Sequence, residues 1–287
     1  MKILIFRLMK ILDALKDRFR RGPLVTVLRL EGVISPRPRR GVVSLAGYAA
    51  AIDRAFSLRR LAAVALVINS PGGSPVQSAL LYRRIRQLAE EKSVPVFAFA
   101  EDVAASGGYW LLLAGDEIYG EEASILGSIG VISAGFGFAG LINRFGVERR
   151  VHTAGERKSL LDPFLPENPA DVERLSTLQQ DIHAIFKEHV VRRRAGKIDA
   201  GDEGLFSGDI LTGRMALARG LIDGIGEVRG VMRARFGEDV RLRTVAAERR
   251  RRLWWPRLPL VARRGFEPVA DLLEWVEARL VWARFGL

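Results

Sequence analysis

The residues of this 287-residue chain best suited to chemistry are Ser106 and Lys158. Ser106 lies in Asp102-Val103-Ala104-Ala105-Ser106-Gly107-Gly108-Tyr109-Trp110, and Lys158 follows downstream in Thr153-Ala154-Gly155-Glu156-Arg157-Lys158-Ser159. Small residues on both sides of Ser106 clear space for a substrate backbone to reach its hydroxyl, which a nucleophile needs and a core serine does not. A serine hydroxyl attacks a carbonyl only when a neighbour takes its proton, and the usual helper is a histidine or a lysine held neutral by burial. The chain has no cysteine, which removes thiol nucleophiles, disulfides and thiolate metal sites, and its three histidines are His152, His183 and His189. Neither a metal site nor a cofactor is expected. Of 45 Lys and Arg residues only seven are Lys. Arginine cannot give up its proton in a protein, whereas a desolvated lysine can, so a lysine beside glycine in an arginine-rich chain is informative. His152 is the rival base, although Val151-His152-Thr153 reads as part of a strand.

These side chains must be held by a scaffold. Residues 24–30, 63–68, 94–100 and 116–119 read as short apolar strands alternating with helical patterns, the signature of a mainly parallel sheet covered by helices. The second strand runs into Asn69-Ser70-Pro71-Gly72-Gly73-Ser74. A helix over 75–91 follows, with Val76, Leu80, Ile85 and Leu88 expected to face inward. A strand that ends in Pro-Gly-Gly and opens a helix leaves backbone N–H groups free for an anion or oxyanion, although a plain turn would also use those glycines. Ser106 falls at the start of a helix expected over 107–114. A third small, polar turn, Ser124-Ile125-Leu126-Gly127-Ser128-Ile129-Gly130, carries Ser128, whose hydroxyl is either a partner for a lysine amine or a structural turn group. Asn168 and Pro169 suit the cap and first position of a helix reaching about residue 194. That helix carries His183 and His189 on different faces, as surface or packing residues.

The net charge of +12 sits at the chain ends. Residues 1–40 hold 11 basic and 3 acidic side chains and residues 241–287 hold 11 and 5, whereas residues 41–240 hold 23 and 25. Basic ends around a nearly neutral body suit an anionic membrane surface, and no nucleic-acid partner is expected. Met1, Leu4, Ile5, Leu8, Leu12, Leu15 and Phe19 recur at helical spacing with basic residues between them, so residues 1–23 are expected to form a basic amphipathic helix. No apolar run reaches the roughly 18 residues of a spanning helix, and no small-residue cleavage site follows the first apolar stretch. The expectation is therefore neither a transmembrane helix nor a cleaved signal peptide. Residues 246–287 repeat the theme with Arg249 to Arg252, Trp254, Trp255 and an apolar helical stripe through Val269, Leu272, Leu273, Val276 and Leu280. Packing of both ends on the body or on another subunit is the competing explanation. Residues 24–245 read as one domain.

Asn69-Ser70-Pro71-Gly72-Gly73-Ser74, Asp102-Val103-Ala104-Ala105-Ser106-Gly107-Gly108-Tyr109, Gly127-Ser128-Ile129-Gly130-Val131 and Thr153-Ala154-Gly155-Glu156-Arg157-Lys158 resemble, in order and spacing, the motifs of the signal peptide peptidase A (SppA) family of serine peptidases. The resemblance covers about residues 24–245. It implies a crotonase-like (ClpP-like) α/β fold and a Ser/Lys dyad, with Ser106 as nucleophile, Lys158 as general base and Ser128 orienting the lysine. It also implies an oxyanion hole of backbone N–H groups near Gly72, Gly73 and Gly107. Further implications are peptide substrates, signal-peptide remnants among them, and a ring-like or dome-like homo-oligomer in which serine and lysine can come from neighbouring subunits. Typical members carry a spanning anchor where this chain has the basic amphipathic stretch, so the expected location is peripheral, on the cytoplasmic face of the membrane. A catalytically idle scaffold of the same fold, binding peptides or membrane partners, is the alternative.

Overall fold

The computed structural model describes residues 22–37, 41–155, 157–246, 276, 279–280 and 282–286. Residues 1–21 of the amphipathic helix expected over 1–23 and most of the C-terminal stripe lie outside the described residues; Gly22 and Pro23 are not helical, and Val276 and Leu280 of that stripe are exposed. No helix among the described residues is long and apolar enough to cross a membrane.

Runs rich in Val, Ile, Leu and Ala become the strands of one eight-stranded sheet. Its main path runs β10 (Arg241–Val245), β1 (Leu24–Glu31), β4 (Leu61–Ser70), β5 (Val96–Ala105), β6 (Glu117–Gly120) and β9 (Gly224–Ile225). All these neighbours are parallel. β7 (Ile125–Gly127) pairs parallel with the end of β5, and β8 (Ile210–Thr212) adds the antiparallel partner of β7. A separate parallel pair joins β2 (Val33–Ile34) to β3 (Val42–Val43).

Side chains on a strand alternate between faces, and β4 uses both. Val64, Leu66 and Ile68 enter the larger core, beneath α1 (Leu45–Phe56), α2 (Pro75–Lys92) and α3 (Gly107–Leu112). Ala63, Ala65 and Val67 face the smaller core, which Met232 of α7 (Val228–Phe236) closes. A central strand buried on both sides explains why it reads as a continuous apolar run.

The helix starts follow from local chemistry. The Ser44 and Ser74 side chains accept hydrogen bonds from Gly47 N–H and Gln77 N–H, capping α1 and α2, and Pro75 occupies the first turn of α2. α5 (Pro169–Arg193) is capped by Asn168, which accepts from Ala170 N–H. Two further short helices are α4 (Ala139–Arg144) and α6 (Gly213–Ala218).

Two expectations about α2 need correcting. Val76 is 65% exposed, and the fully inward position is Leu81 rather than Leu80. The inward set is Ser78, Leu81, Ile85, Leu88 and Ala89, a stripe that places Ser78 rather than an apolar residue under the first turn. Small polar packing at that end matters for the site.

α5 docks through its C-terminal half. His189 is buried, stacked on Trp110 of α3 and edge-on to Tyr82 of α2, and Phe186 also stacks on Trp110. His183 is half-buried with Nε2 3.1 Å from Ile129 O, so both histidines pack against the body. Arg194, also buried, makes a two-pronged ion pair with Asp223 and donates to Gly220 O. Burial pushes the Asp223 carboxyl up, but hydrogen bonds from Arg194, Lys197 and Ile118 N–H outweigh burial and hold it below the usual carboxylate range.

Candidate active site

β4 and β5 both end at the same edge of the sheet, and each runs into a glycine-rich turn. After β4 the chain passes through Pro71, Gly72 and Gly73 into α2; after β5 it turns at Ser106 into α3. Ser106 sits at φ 52°, ψ −118°, the left-handed side of backbone space that a residue with a Cβ seldom occupies. Its N–H donates to Gly127 O at 2.8 Å, which locks the turn against β7, and its hydroxyl makes no capping bond to α3. The residue is half-buried.

Gly72 presses on Ser106. A Cβ built on Gly72, at φ 104°, would lie 2.8 Å from Ser106 Cβ and 3.0 Å from Gly107 N. At Gly73 (φ 137°) a Cβ would collide with Ile34 O, because Ile34 and Gly73 form a parallel bridge and Ser74 N–H donates to Ile34 O at 2.8 Å. Glycine is therefore required at both positions by conformation and by space.

The free amides are assigned by hydrogen-bond accounting. Gly72 N–H is spent on the Ser70 hydroxyl at 3.2 Å. Gly73 N–H has no backbone acceptor among the described residues, and Gly107 N–H is at the first position of α3, where no intrahelical acceptor exists. A Cβ on Gly107 would lie 3.4 Å from Gly73 N, so the two amides are neighbours. Of the three amides expected near an oxyanion, those of Gly72, Gly73 and Gly107, only the last two are thus without a partner among the described residues. The reasoning from sequence missed Ser70 and Ser78, whose side chains are buried in this turn; Ser78 Oγ is the atom nearest a Cβ on Gly107. Buried serines inside a glycine-rich motif are the signal that would have found them.

Ser128 follows the glycine that accepts from Ser106. It is half-buried at φ 49°, with its N–H donating to Asp209 O at 2.6 Å. Lys158 lies elsewhere, exposed in a turn, with its N–H donating to Gly155 O at 3.3 Å. Its amine makes no hydrogen bond or ion pair within the described chain. The structure brings Gly72, Gly73, Ser106, Gly107 and the Gly127-Ser128 turn together, and it does not join Lys158 to them within one chain. His152 is exposed in irregular backbone, so the strand expected there does not form. No metal-binding cluster of His, Asp and Glu is present among the described residues.

The segment that leads to Lys158 carries many exposed apolar side chains. Ile132, Phe136, Leu141, Phe145 and Val147 are all more than half exposed. A cavity of about 710 Å³ lies against the sheet, lined by Val67, Phe99, Glu101, Asp102 and Glu227 among others, and Ser106 does not border it.

A strained serine between two unbonded amides on an α/β scaffold fits the class of enzymes that attack carbonyls with a serine hydroxyl. The model of peptidase family S49 matches residues 88–239, more than half of the chain, and the chain belongs to that family of serine peptidases. It is 47% identical over 277 residues to a Brucella abortus protein named Na(+)/H(+) antiporter NhaA, the match covering 92% of this chain and 37% of that protein. It is 35% identical over 169 residues to the Arabidopsis thaliana protein named serine protease SPPA, chloroplastic, covering 58% of this chain and 24% of that one. The chain thus spans well under half the length of these relatives, and the antiporter name describes a protein most of which lies outside the match. Among solved structures it resembles the 1510-N membrane-bound stomatin-specific protease with a TM-score of 0.49 and 16% identity, over 79% of this chain and 99% of that one.

Proposed function

We propose that the protein is a serine endopeptidase in which Ser106 is the nucleophile and Lys158 the general base. The observation that carries this reading is the Ser106 turn, where a strained serine stands beside Gly72 and the unbonded N–H groups of Gly73 and Gly107. Lys158 takes the hydroxyl proton, Ser106 Oγ attacks the peptide carbonyl, and the two amides receive the oxyanion. The amine leaves with the proton, and water then releases the acyl group from Ser106. Ser128 orients the lysine amine.

The lysine reaches the serine through assembly. The exposed apolar side chains around Lys158 need a cover, and the cover is a second copy of this chain that brings Lys158 to Ser106 and strips water from its amine. Within one isolated chain the arrangement equals that of an idle scaffold, so the oligomer decides between the two readings. Ser106→Ala and Lys158→Ala, each inactive on a reporter peptide, should regain hydrolysis when co-assembled. Failure to regain it in mixed oligomers would refute the shared site, and an inactive parent oligomer would refute the peptidase.

The basic ends hold the enzyme at an anionic membrane surface, on the cytoplasmic face, where its substrates are membrane-associated peptides such as signal-peptide remnants. Deleting residues 2–21 should move the protein from the membrane pellet to the supernatant. Unchanged sedimentation would rule out that segment as an anchor.

A further inference from the structure

We propose that Asn69 and Asp102 form a positioning pair that fixes the backbone of both halves of the site; the inference rests on the peptidase reading above. Pairing of β4 with β5 is regular until Ile68 opposes Ala100, and the next pair is Ser70 opposite Ala104. One residue of β4, Asn69, therefore faces residues 101–103 of β5. Such an irregularity leaves ladder groups without backbone partners.

Asn69 supplies the missing partners. Its Oδ1 accepts from Val103 N–H at 3.2 Å, and its Nδ2 donates to Asp102 Oδ2 at 2.8 Å. Its backbone carbonyl accepts from Gly32 N–H at 3.0 Å. The amide orientation is set by chemistry: Val103 N–H needs an acceptor, which turns the NH₂ group to the carboxylate. Asn69 is 7% exposed, so its amide has little water to fall back on.

Both site turns begin where this pair ends. Ser70 follows Asn69 and holds Gly72 N–H, while Val103, Ala104 and Ala105 follow Asp102, pair with β7 and deliver Ser106 to Gly127 O. Gly72 and Ser106 approach so closely that a small slip of one strand end against the other separates them or forces them to clash. Neither Asn69 nor Asp102 touches Ser106, so both act through the backbone.

The test uses the full-length oligomer, a fluorophosphonate probe and a reporter peptide. Asn69→Asp sets two carboxylates face to face, where one must take up a proton. Its kcat should fall about 100-fold at neutral pH with KM little changed, as expected for misplacement of a reacting group. The ratio of its rate to the parent's should rise as pH falls and the pair comes to share a proton. Asp102→Asn keeps an acceptor for Asn69 and should stay within a few-fold of the parent. The exchanged pair, Asn69→Asp with Asp102→Asn, restores donor and acceptor and should recover most of the lost rate. If Asn69→Asp does not fold, Asp102→Ala, at an exposed position, should lower kcat about tenfold in a protein that remains folded and oligomeric, with a modest drop in melting temperature from the lost partner of Asn69 Nδ2. Parent-like kcat in Asn69→Asp or Asp102→Ala would overturn the pair while leaving the nucleophile standing. A loss with a flat pH ratio and no recovery in the exchanged pair would show a general structural defect and overturn it too. A parent that neither labels nor cleaves would bring down the peptidase reading, and this inference with it.

Discussion

At Ser106 the backbone holds a conformation that costs a residue with a Cβ about 1–3 kcal/mol, and it persists because its surroundings leave no other. Gly127 O holds its N–H, Gly72 fills the space beside its Cβ, and α3 begins immediately after it. Gly72→Ala tests this packing. The added methyl meets Ser106 Cβ and Ala105 O below 3.0 Å, and the positive φ is itself unfavourable for alanine. Acylation of Ser106 by a fluorophosphonate should fall about 100-fold, and the melting temperature should also drop. A variant that labels at the parent rate would mean the Gly72 turn does not abut the reacting atom. The glycines and Ser106 were legible in the sequence because small residues cluster there. The division of labour was not: the bond from Gly72 N–H to Ser70 spans only two residues, but the turn that permits it is set by the bridge between Ile34 and Gly73 and by the approach of Gly72 to Ser106, segments far apart in the chain.

At the scale of the elements, the docking of α5 makes stability depend on pH. Burial pushes the His189 imidazole down to about 3, with Arg192 and Arg193 adding to the effect. Its ordinary value is about 6.5 in the unfolded chain. The folded value is the lower one, so the contribution is fully present above pH 6.5. As pH falls below 6.5 the unfolded chain binds a proton that the folded chain refuses, and stability is lost progressively toward pH 3. Between pH 6.5 and 5 the loss is about 2 kcal/mol. Urea unfolding at these two pH values should show it, and His189→Phe, which keeps a ring against Trp110, should flatten the dependence. Equal slopes in parent and variant would exclude His189 as the source. The strands and long helices were legible because apolar runs, Asn168-Pro169 and Ser74-Pro75 are local signals. The face of α2 was read one position out at Leu80, since the buried stripe runs through Ser78, Leu81 and Ile85 and its polar first member hides the apolar periodicity. His152 did not become a strand residue because the β-forming character of Val151-His152-Thr153 finds no partner strand among the described residues.

For the whole molecule, the two reactive groups of the proposed dyad belong to different parts of the body. Ser106 is built into the end of the sheet, whereas Lys158 is exposed on a segment with many uncovered apolar side chains. Sequence spacing places both residues in a family pattern but carries no information about which chain supplies each. The basic ends carry most of the net charge, and most of their length lies outside the described residues. Assembly would complete the site and bury the apolar segment in one event, so activity should track oligomer concentration. The measurement that bears most directly on the dyad is mass spectrometry of the parent oligomer after fluorophosphonate treatment, beside Ser106→Ala, Lys158→Arg and His152→Ala. One adduct per chain is expected on Ser106 in the parent and in His152→Ala, and none in the other two. An unlabelled parent oligomer, or undiminished labelling of Lys158→Arg, would contradict the dyad.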